Sequence, residues 1–273
     1  MKTVIKLILI YYALQILASL AVAPFVMVYQ FCTTGTFEPE AAQALSVEPS
    51  LALGFVFILF YLWKAGYLAD LRLFLLPLPA GWLAGSLLAG ASLVWLEICL
   101  SEWLDFMPDW SEASLTRLQT GWLGLLSLVV LGPVIEEVFY RGIVTRLLLR
   151  KYRPWTAIAV SGLIFGVIHL NPAQLIPAFT SGMFYAWLYW RTRSLWPGIL
   201  LHVLNNGFAA FLMRACPEME EDATLMDLMG QTGYVAALIG AAVIFIGSVW
   251  ALNRRLPAGV SVLGKKKEQD LTI

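Results

Sequence analysis

Three short polar segments interrupt the apolar stretches of this sequence. They are Gly132–Arg141, Phe165–His169 and His202–Asn206, and they contain the chain's two histidines. A charged side chain at the centre of a bilayer costs roughly 2.5–3.5 kcal/mol on insertion scales, so an ionisable residue inside an apolar stretch indicates a function by default. The three segments are therefore the candidate functional site.

Helical spacing assigns different roles to these polar residues. Glu137 lies four positions before Arg141, which is the favourable order for an ion pair on one helix face. The adjacent Glu136 points about 100° away, so it is expected to be the free carboxylate. His202 and Asn206 are also four positions apart, and they project from one face into the same space.

His169 has no polar neighbour on its own helix face and is expected to meet Glu136 across a helix interface. A direct hydrogen bond would bring their heavy atoms within about 3 Å, and a shared water within about 5–6 Å. Peptide hydrolysis needs an activated water, a stabiliser for the oxyanion and a proton donor for the leaving amine. The three segments together supply such groups, with Glu136 as the candidate general base.

Each of these residues also has a purely structural interpretation. The Glu137–Arg141 pair can lock two helices together, and a histidine in a membrane helix can be a hydrogen-bonded packing residue. Asn206 can form an interhelical hydrogen bond, commonly worth about 0.6 kcal/mol. The whole combination on three segments favours a catalytic site, because structure alone rarely needs a complete acid–base set.

The composition indicates a polytopic membrane protein. Of the 273 residues 60% are hydrophobic and 13% are charged, and the mean hydropathy is +0.76. Soluble domains carry roughly 25% charged residues, so an ordinary soluble enzyme and a disordered chain are excluded. The 18 cations balance the 18 anions, which argues against a nucleic-acid partner. The three cysteines are too few and too scattered for a disulfide framework or a zinc knuckle.

Continuous apolar runs predict an all-α protein with about eight transmembrane helices in one domain, residues 1–273. A span needs about 20 mostly apolar residues. The first run is expected to be an uncleaved helix rather than a signal peptide, because it is too long for a signal core. The predicted runs are Leu7–Val28, Leu51–Tyr67, Gly81–Leu100, Trp122–Ile135 continuing towards Leu149, Trp155–Leu170, Ala173–Trp190, Trp196–Met213 and Tyr234–Leu252.

The distribution of charge predicts that both termini are cytoplasmic, because lysine and arginine accumulate on that side. Residues 257–273 form a basic tail that could touch the anionic lipid of the bilayer. The opposite loops hold two arginines, Arg117 and Arg214, and many acidic residues. The expected cytoplasmic cations, fifteen of the 18, are Lys2, Lys6, Lys64, Arg72, Arg146, Arg150, Lys151, Arg153, Arg191, Arg193, Arg254, Arg255, Lys265, Lys266 and Lys267.

Counting residues along the spans gives the expected depth of the site. Glu136 lies about 22 Å from Gly121 and His202 about 9 Å from Trp196, and both values place the site towards the cytoplasmic side. His169, counted from Trp155, lies about 21 Å deep, which exceeds the depth of the other two residues by about 10 Å. The fifth span must therefore start in a cytoplasmic overhang, tilt strongly, or form a short hairpin with the sixth.

The motifs Glu-Glu-x-x-x-Arg, Phe-x-x-x-His and His-x-x-x-Asn occur here in this order, and the region 121–211 that carries them resembles the core of the CPBP family. That family, also called Abi, comprises intramembrane endopeptidases and includes the CAAX prenyl endopeptidase. The resemblance implies that Glu136 and His169 hold and polarise a water. It also implies that His202 and Asn206 line the oxyanion site, and that Glu137 and Arg141 support Glu136.

Three further expectations follow from this resemblance and from the composition. The substrate would be a peptide or a membrane-anchored protein, and the chain would reside in a bacterial-type cell (inner) membrane with its site towards the cytoplasm. No cofactor is expected, although Glu136, His169 and His202 would match a catalytic zinc ligand set. The alternative outside the enzyme class is a membrane binding, immunity or transport protein that uses the same polar cluster.

Overall fold

The computed structural model describes residues 1–69, 75, 78–215 and 224–254, and these residues are helical apart from short connections. The predicted all-α class is therefore confirmed. In chain order the helices of the described residues are α1 (Lys2–Thr34), α2 (Pro39–Lys64), α3 (Ala80–Trp103), α4 (Glu112–Thr120), α5 (Trp122–Leu149), α6 (Pro154–Val167), α7 (Pro172–Thr192), α8 (Trp196–Ala215) and α9 (Leu225–Arg254).

Each predicted apolar run falls on one of these helices. By length and composition, five of the described helices, α1, α2, α3, α5 and α9, can cross a membrane, which makes the chain an integral membrane protein. Helix α6 is apolar but shorter. The count of eight spans and the orientation of the termini stay predictions. Arg72 and the basic tail 257–273 lie outside the described residues.

Glycine and proline set several helix ends. Gly35 adopts a left-handed conformation (φ 75°) directly after α1, and its N–H donates to the carbonyl of Phe31. Proline stands in the first turn of α2, α6 and α7, where its missing N–H costs no helical hydrogen bond. The first predicted span thus forms one helix that continues through Pro24.

Helix α5 departs from regular α-helical geometry at the segment that carries the first motif. Residues Ser127–Leu131 and Glu137–Thr145 form π-helical turns, in which each N–H bonds five residues back. All nine residues from Glu137 to Thr145 are buried. The Thr145 hydroxyl donates to the Tyr140 carbonyl over 2.8 Å or to the Ser161 hydroxyl at 2.7 Å. Wide turns of this kind occur frequently at functional sites.

Helices α6 and α7 form a closely packed hairpin, and His169 lies in the turn between them. A Cβ on Gly162 would lie 2.9 Å from the Phe179 carbonyl oxygen, and one on Gly166 would lie 2.5 Å from that of Leu175. The glycines therefore allow the two backbones to approach. Helix α6 has 14 residues and a length of about 21 Å, which is less than the roughly 30 Å of a bilayer core. The structure therefore contains the short hairpin, while the depths of His169 and Glu136 in the bilayer stay predictions.

Helix α1 packs against the hairpin turn and against α5. Its Tyr11 ring lies 5.0 Å from the Phe139 ring and 6.1 Å from the Tyr140 ring. The hydroxyl of Tyr12 donates to the Ile168 carbonyl, one residue before His169. Helix α1 therefore fixes the position of the turn relative to the first motif.

Candidate active site

A cavity of about 410 Å³ lies between the helices that carry the three motifs. Its walls include Glu136 of α5, His169 of the hairpin turn, and His202 and Asn206 of α8. Cavities of 300–1,000 Å³ are typical of small-molecule and substrate sites. The structure therefore brings all four predicted catalytic residues to one cavity.

Glu137 and Arg141 form the ion pair that their spacing indicates. Nη1 of Arg141 lies 2.6 Å from Oε1 of Glu137, and both side chains are fully buried. The guanidinium lies 4.2 Å from the centre of the Phe165 ring, and its Nη2 donates to the Gly182 carbonyl over 3.3 Å. The pair thus ties α5 to the α6–α7 hairpin.

His202 contacts the two glutamates of α5 and lines the same cavity as Asn206, as their spacing on one face of α8 predicts. Its Nδ1 lies 3.2 Å from Oε1 of Glu137, and its Nε2 lies 3.9 Å from Oε2 of Glu136. A carboxylate that is paired with Arg141 can only accept hydrogen bonds, so Nδ1 of His202 carries the proton. The spacing within one helix could not reveal this contact, because it joins residues 65 positions apart.

Asn206 bonds to α5 as well. Its Nδ2 donates to the Leu128 carbonyl over 2.9 Å, and its Oδ1 accepts from Asn205 at 3.4 Å. An amide nitrogen carries two hydrogens, so one N–H of Asn206 remains to serve a ligand in the cavity. The interhelical hydrogen bond and a role in the site are therefore compatible.

His169 lines the cavity without a direct hydrogen bond to Glu136 in the described structure, and the alternative of a water shared by the two side chains stays a prediction. Its Nδ1 lies 2.7 Å from the Phe165 carbonyl oxygen, which can only accept, so Nδ1 carries the proton and Nε2 is the free acceptor. Among the described residues no hydrogen bond or ion pair joins His169 to Glu136, and His202 is the histidine that approaches this carboxylate. The reason is that His169 lies in the turn beyond α6, where the local carbonyl fixes its ring.

The connection between α3 and α4 holds the hairpin turn through Asn171. The Asn171 amide nitrogen donates over 2.8 Å to Asp109 and to the Ser111 hydroxyl, and its oxygen accepts from the Trp110 N–H at 3.0 Å. Leu170, between His169 and Asn171, adopts a left-handed conformation (φ 50°). Such a conformation persists only where its surroundings fix it, and these hydrogen bonds do so.

Glu97 of α3 is a cavity residue that the motifs did not reveal. Its side chain is 8% exposed, and its two oxygens each lie 2.9 Å from the Ser181 hydroxyl. The Thr180 hydroxyl also donates to it. Glu97 is an ionisable residue inside the predicted span Gly81–Leu100, and ionisable residues inside apolar stretches are what identified the three motifs. The sequence therefore contains the information that indicates Glu97 as a functional residue.

The residues proposed for a zinc site do not assemble into a ligand set. Within residues 1–69, 75, 78–215 and 224–254, no three histidine, cysteine, aspartate or glutamate side chains are grouped so that they could hold a metal ion. The two nitrogens of His202 are directed at Glu137 and Glu136, and Nδ1 of His169 is directed at a carbonyl. The described residues thus show no assembled zinc ligand set, and the metal dependence of the site stays a prediction.

The cavity extends towards one end of the helix bundle. We call the end that bears α4 and the connection Leu104–Ser111 the acid-rich end, and the end that bears Arg150–Arg153 and Arg193 the cation-rich end. Leu115 and Gln119 of α4 line the cavity, as do Ser127 and Leu128 near the start of α5. The cavity thus extends away from the cation-rich end, whereas counting residues from Trp196 places the site near that end.

The matched region of known proteins coincides with the three motifs. Residues 118–208 match the sequence model of the Rce1-like family, described as type II CAAX prenyl endopeptidase Rce1-like. YdiL of Bacillus subtilis, named as a membrane peptidase, is 30% identical over 122 residues, which are 44% of this chain and 50% of YdiL. The membrane-embedded CAAX protease MroQ of Staphylococcus aureus is 30% identical over 102 residues, 35% of this chain and 41% of MroQ.

These matches confirm the resemblance to the CPBP family that the motifs indicate. All six predicted site residues, from Glu136 to Asn206, lie within the matched segment, whereas Glu97 lies outside it. The chain spans about half the length of YdiL and less of MroQ. No solved structure gives a significant match.

Proposed function

We propose that this chain, whose residues 118–208 match the CAAX prenyl endopeptidase family, is an intramembrane endopeptidase that uses Glu136 to activate a water. The observation that carries the proposal is the approach of His202 to Glu136 inside the cavity, at 3.9 Å between Nε2 and Oε2. The substrate class is a peptide or a membrane-anchored protein, as the names of the relatives suggest.

The protonation of His202 supports a water shared with Glu136. In the neutral form of the ring that donates from Nδ1 to Glu137, Nε2 is an acceptor, and the Glu136 carboxylate is an acceptor too. A water between them donates one hydrogen to each and keeps a lone pair free for attack on a carbonyl carbon. Glu136 is 21% exposed at its side chain, so water can reach it.

The later steps of the proposed hydrolysis involve the remaining polar groups of the cavity. The attacking water passes a proton to Glu136 or to Nε2 of His202, and the protonated group then donates it to the leaving amine. The free N–H of Asn206 is placed to stabilise the oxyanion. The neutral rings of His202 and His169 present acceptors at Nε2, so each would stabilise an oxyanion only as an imidazolium. In this scheme His169 orients the water or the substrate from the other wall of the cavity.

The test is the formation of new N-termini in a membrane proteome. The purified protein would be reconstituted with membranes from cells that lack it, and new N-termini would be identified by mass spectrometry. Wild-type protein should generate cleavage products that are absent with Glu136→Gln, while Glu112→Gln, a change of an exposed glutamate on α4, should cleave normally. Equal products from the Glu136→Gln variant would refute the proposal and favour a binding, immunity or transport role.

A further inference from the structure

The cavity runs from the middle of the helix bundle towards the acid-rich end, where Leu115 and Gln119 of α4 line it. On α7 the lining residues run from Gln174 to Tyr185 and stop before the cation Arg191, and on α8 they begin at His202 and continue to Ala209. On α5 they end at Glu136, about 20 Å from Leu149 at 1.5 Å per residue. A ligand therefore reaches the motifs from the end that bears α4.

That end of the bundle carries an excess of negative charge. Among the described residues its cations are Arg117 and Arg214, and the Arg214 guanidinium donates to the Gln119 carbonyl. A cleft lined by one sign of charge concentrates the opposite ion and excludes its own sign. Acidic residues described at this end include Glu38, Glu48, Asp105, Asp109, Glu112 and Asp227.

Inside the cavity the acidic side chains continue with Glu97. The described lining includes two carboxylates, Glu97 and Glu136, and no lysine or arginine. Arg141 is paired with Glu137 and lies outside the lining. The partners of Glu97 are the neutral hydroxyls of Thr180 and Ser181, and burial of a carboxylate without a cation is costly unless a ligand supplies the charge.

We propose that the cavity is reached from the acid-rich end and selects a substrate segment that carries positive charge, with Glu97 as its buried counter-charge. This inference rests on the proposed endopeptidase function and names its substrate class. Because cations accumulate on the cytoplasmic side, the acid-rich end faces the outside of the cell membrane. The substrate then reaches the site from the extracytoplasmic face, in place of the cytoplasmic face expected from counting residues.

Charged thiol reagents test from which end the cavity is reached and which sign of charge it prefers, and the test does not depend on proteolysis. Ala178 lines the cavity on α7, so Ala178→Cys would be made in a chain whose three native cysteines are replaced by serine. A cationic and an anionic methanethiosulfonate, both unable to cross membranes, would be added to intact cells and to inside-out vesicles. A chain that retains the exposed Cys32 alone, at the acid-rich end of α1, is the control.

The expected result is modification of the introduced cavity thiol in intact cells, with the cationic reagent about tenfold or more faster than the anionic one relative to Cys32. Glu97→Gln should lower this preference at the cavity thiol and leave the ratio at Cys32 unchanged, while Glu97→Asp, which keeps the charge, should retain it. If the reagents modify the cavity thiol only in inside-out vesicles, the proposed entry from the acid-rich end is wrong. If the Glu97→Gln variant keeps the same preference for the cationic reagent, the proposed role of Glu97 is wrong.

The proteome assay gives a second readout of the same selection. Lysine and arginine should be enriched within a few residues of the cleavage sites made by the wild-type protein, and the enrichment should fall in Glu97→Gln. Sites of random composition would contradict the proposal even where cleavage itself depends on Glu136. Conversely, charge-selective labelling without any cleavage would refute the endopeptidase function and leave the charge selection standing.

Discussion

Nδ1 of His202 lies 3.2 Å from Oε1 of Glu137, and the same oxygen lies 2.6 Å from Nη1 of Arg141. One carboxylate oxygen therefore fixes both the tautomer of the histidine and the position of the guanidinium. The contact also connects α8 to α5 in the interior of the bundle. The catalytic geometry that we propose depends on this oxygen, and the first two predictions test it.

Removal of the Glu137 charge should destabilise the protein strongly. Glu137→Gln leaves the buried Arg141 without its counter-ion, and breaking a buried pair costs about 3–5 kcal/mol. We expect a clear loss of thermal stability in detergent together with loss of cleavage. The double variant Glu137→Gln with Arg141→Met removes both charges and should recover much of the stability. It should stay inactive, since the carboxylate that fixes the His202 ring is still missing; full activity would contradict the assigned role of Glu137.

A methyl group at Gly198 should displace the Glu137 carboxylate. A Cβ at this position on α8 would lie 2.6 Å from Oε2 of Glu137, which is too close for any contact. Gly198→Ala should cost about 1–3 kcal/mol through overpacking and should lower kcat more than it raises KM, because the His202 ring shifts with Glu137. Gly247→Ala is the matched control, since a Cβ there meets nothing within 4 Å. Similar effects of the two substitutions would argue against the prediction.

Acid should weaken the contact between Asp109 and the hairpin turn. Burial raises the pKa of Asp109, but hydrogen bonds from the N–H and hydroxyl of Ser111 and from Asn171 outweigh it and hold the pKa below its ordinary value. A carboxylate with a lowered folded-state pKa contributes stability above its unfolded pKa of about 3.9, and the contribution is lost as the pH falls through the folded value. Asp109→Asn should therefore lower Tm near neutral pH.

The same substitution should have a smaller effect on Tm at acid pH, because the contribution of the wild-type carboxylate is lost as the pH falls from about 3.9 through the lowered folded-state pKa. Asn171→Ala should instead destabilise at both pH values, by about 1–3 kcal/mol, because it leaves the Trp110 N–H without its partner. Melting curves of the two variants and the wild type in one detergent measure the difference. A pH-independent effect of Asp109→Asn would show that its charge does not hold the turn.

Removal of divalent metal should leave the activity intact. Within the described residues no three histidine, cysteine, aspartate or glutamate side chains are grouped so that they could hold a metal ion. We expect the same cleavage rate after dialysis against EDTA as before it, with a zinc endopeptidase treated in parallel as the positive control. Loss of cleavage with EDTA and its recovery with added zinc would require a rearranged site.

The sequence predicts the local relationships well and the contacts between helices less well. The Glu137–Arg141 pair is an i, i+4 relationship within one helix, so spacing is sufficient to identify it. The contact of His202 with the two glutamates depends on how α8 is rotated against α5, and a residue count contains no information on that rotation. The bond from Asn206 to the Leu128 carbonyl depends on the same rotation, so the spacing indicates an interhelical hydrogen bond but not its partner.

The three polar motifs did not indicate the close packing of α6 against α7 or the presence of Glu97 in the cavity. Gly162 and Gly166 lie four positions apart within an apolar run, a spacing that permits close helix packing and predicts the short hairpin. Glu97 belongs to none of the three motifs, so an interpretation based on those motifs does not include it. The π-helical turns of α5 have no simple sequence signature.

The short length of α6 has a consequence for the lipid around the protein. Its exposed side chains Leu163 and Val167 offer the bilayer an apolar surface that is about 21 Å long, well below the average hydrocarbon thickness of roughly 30 Å. A short apolar surface is matched by thinning of the bilayer, by snorkelling of flanking residues or by association with another helix. Thinning beside α6 would lower the headgroups of the adjoining leaflet towards Leu170. In the function that we propose, a substrate helix that moved into the thinned region would be longer than the surrounding hydrocarbon, and its end would emerge into water beside the cavity.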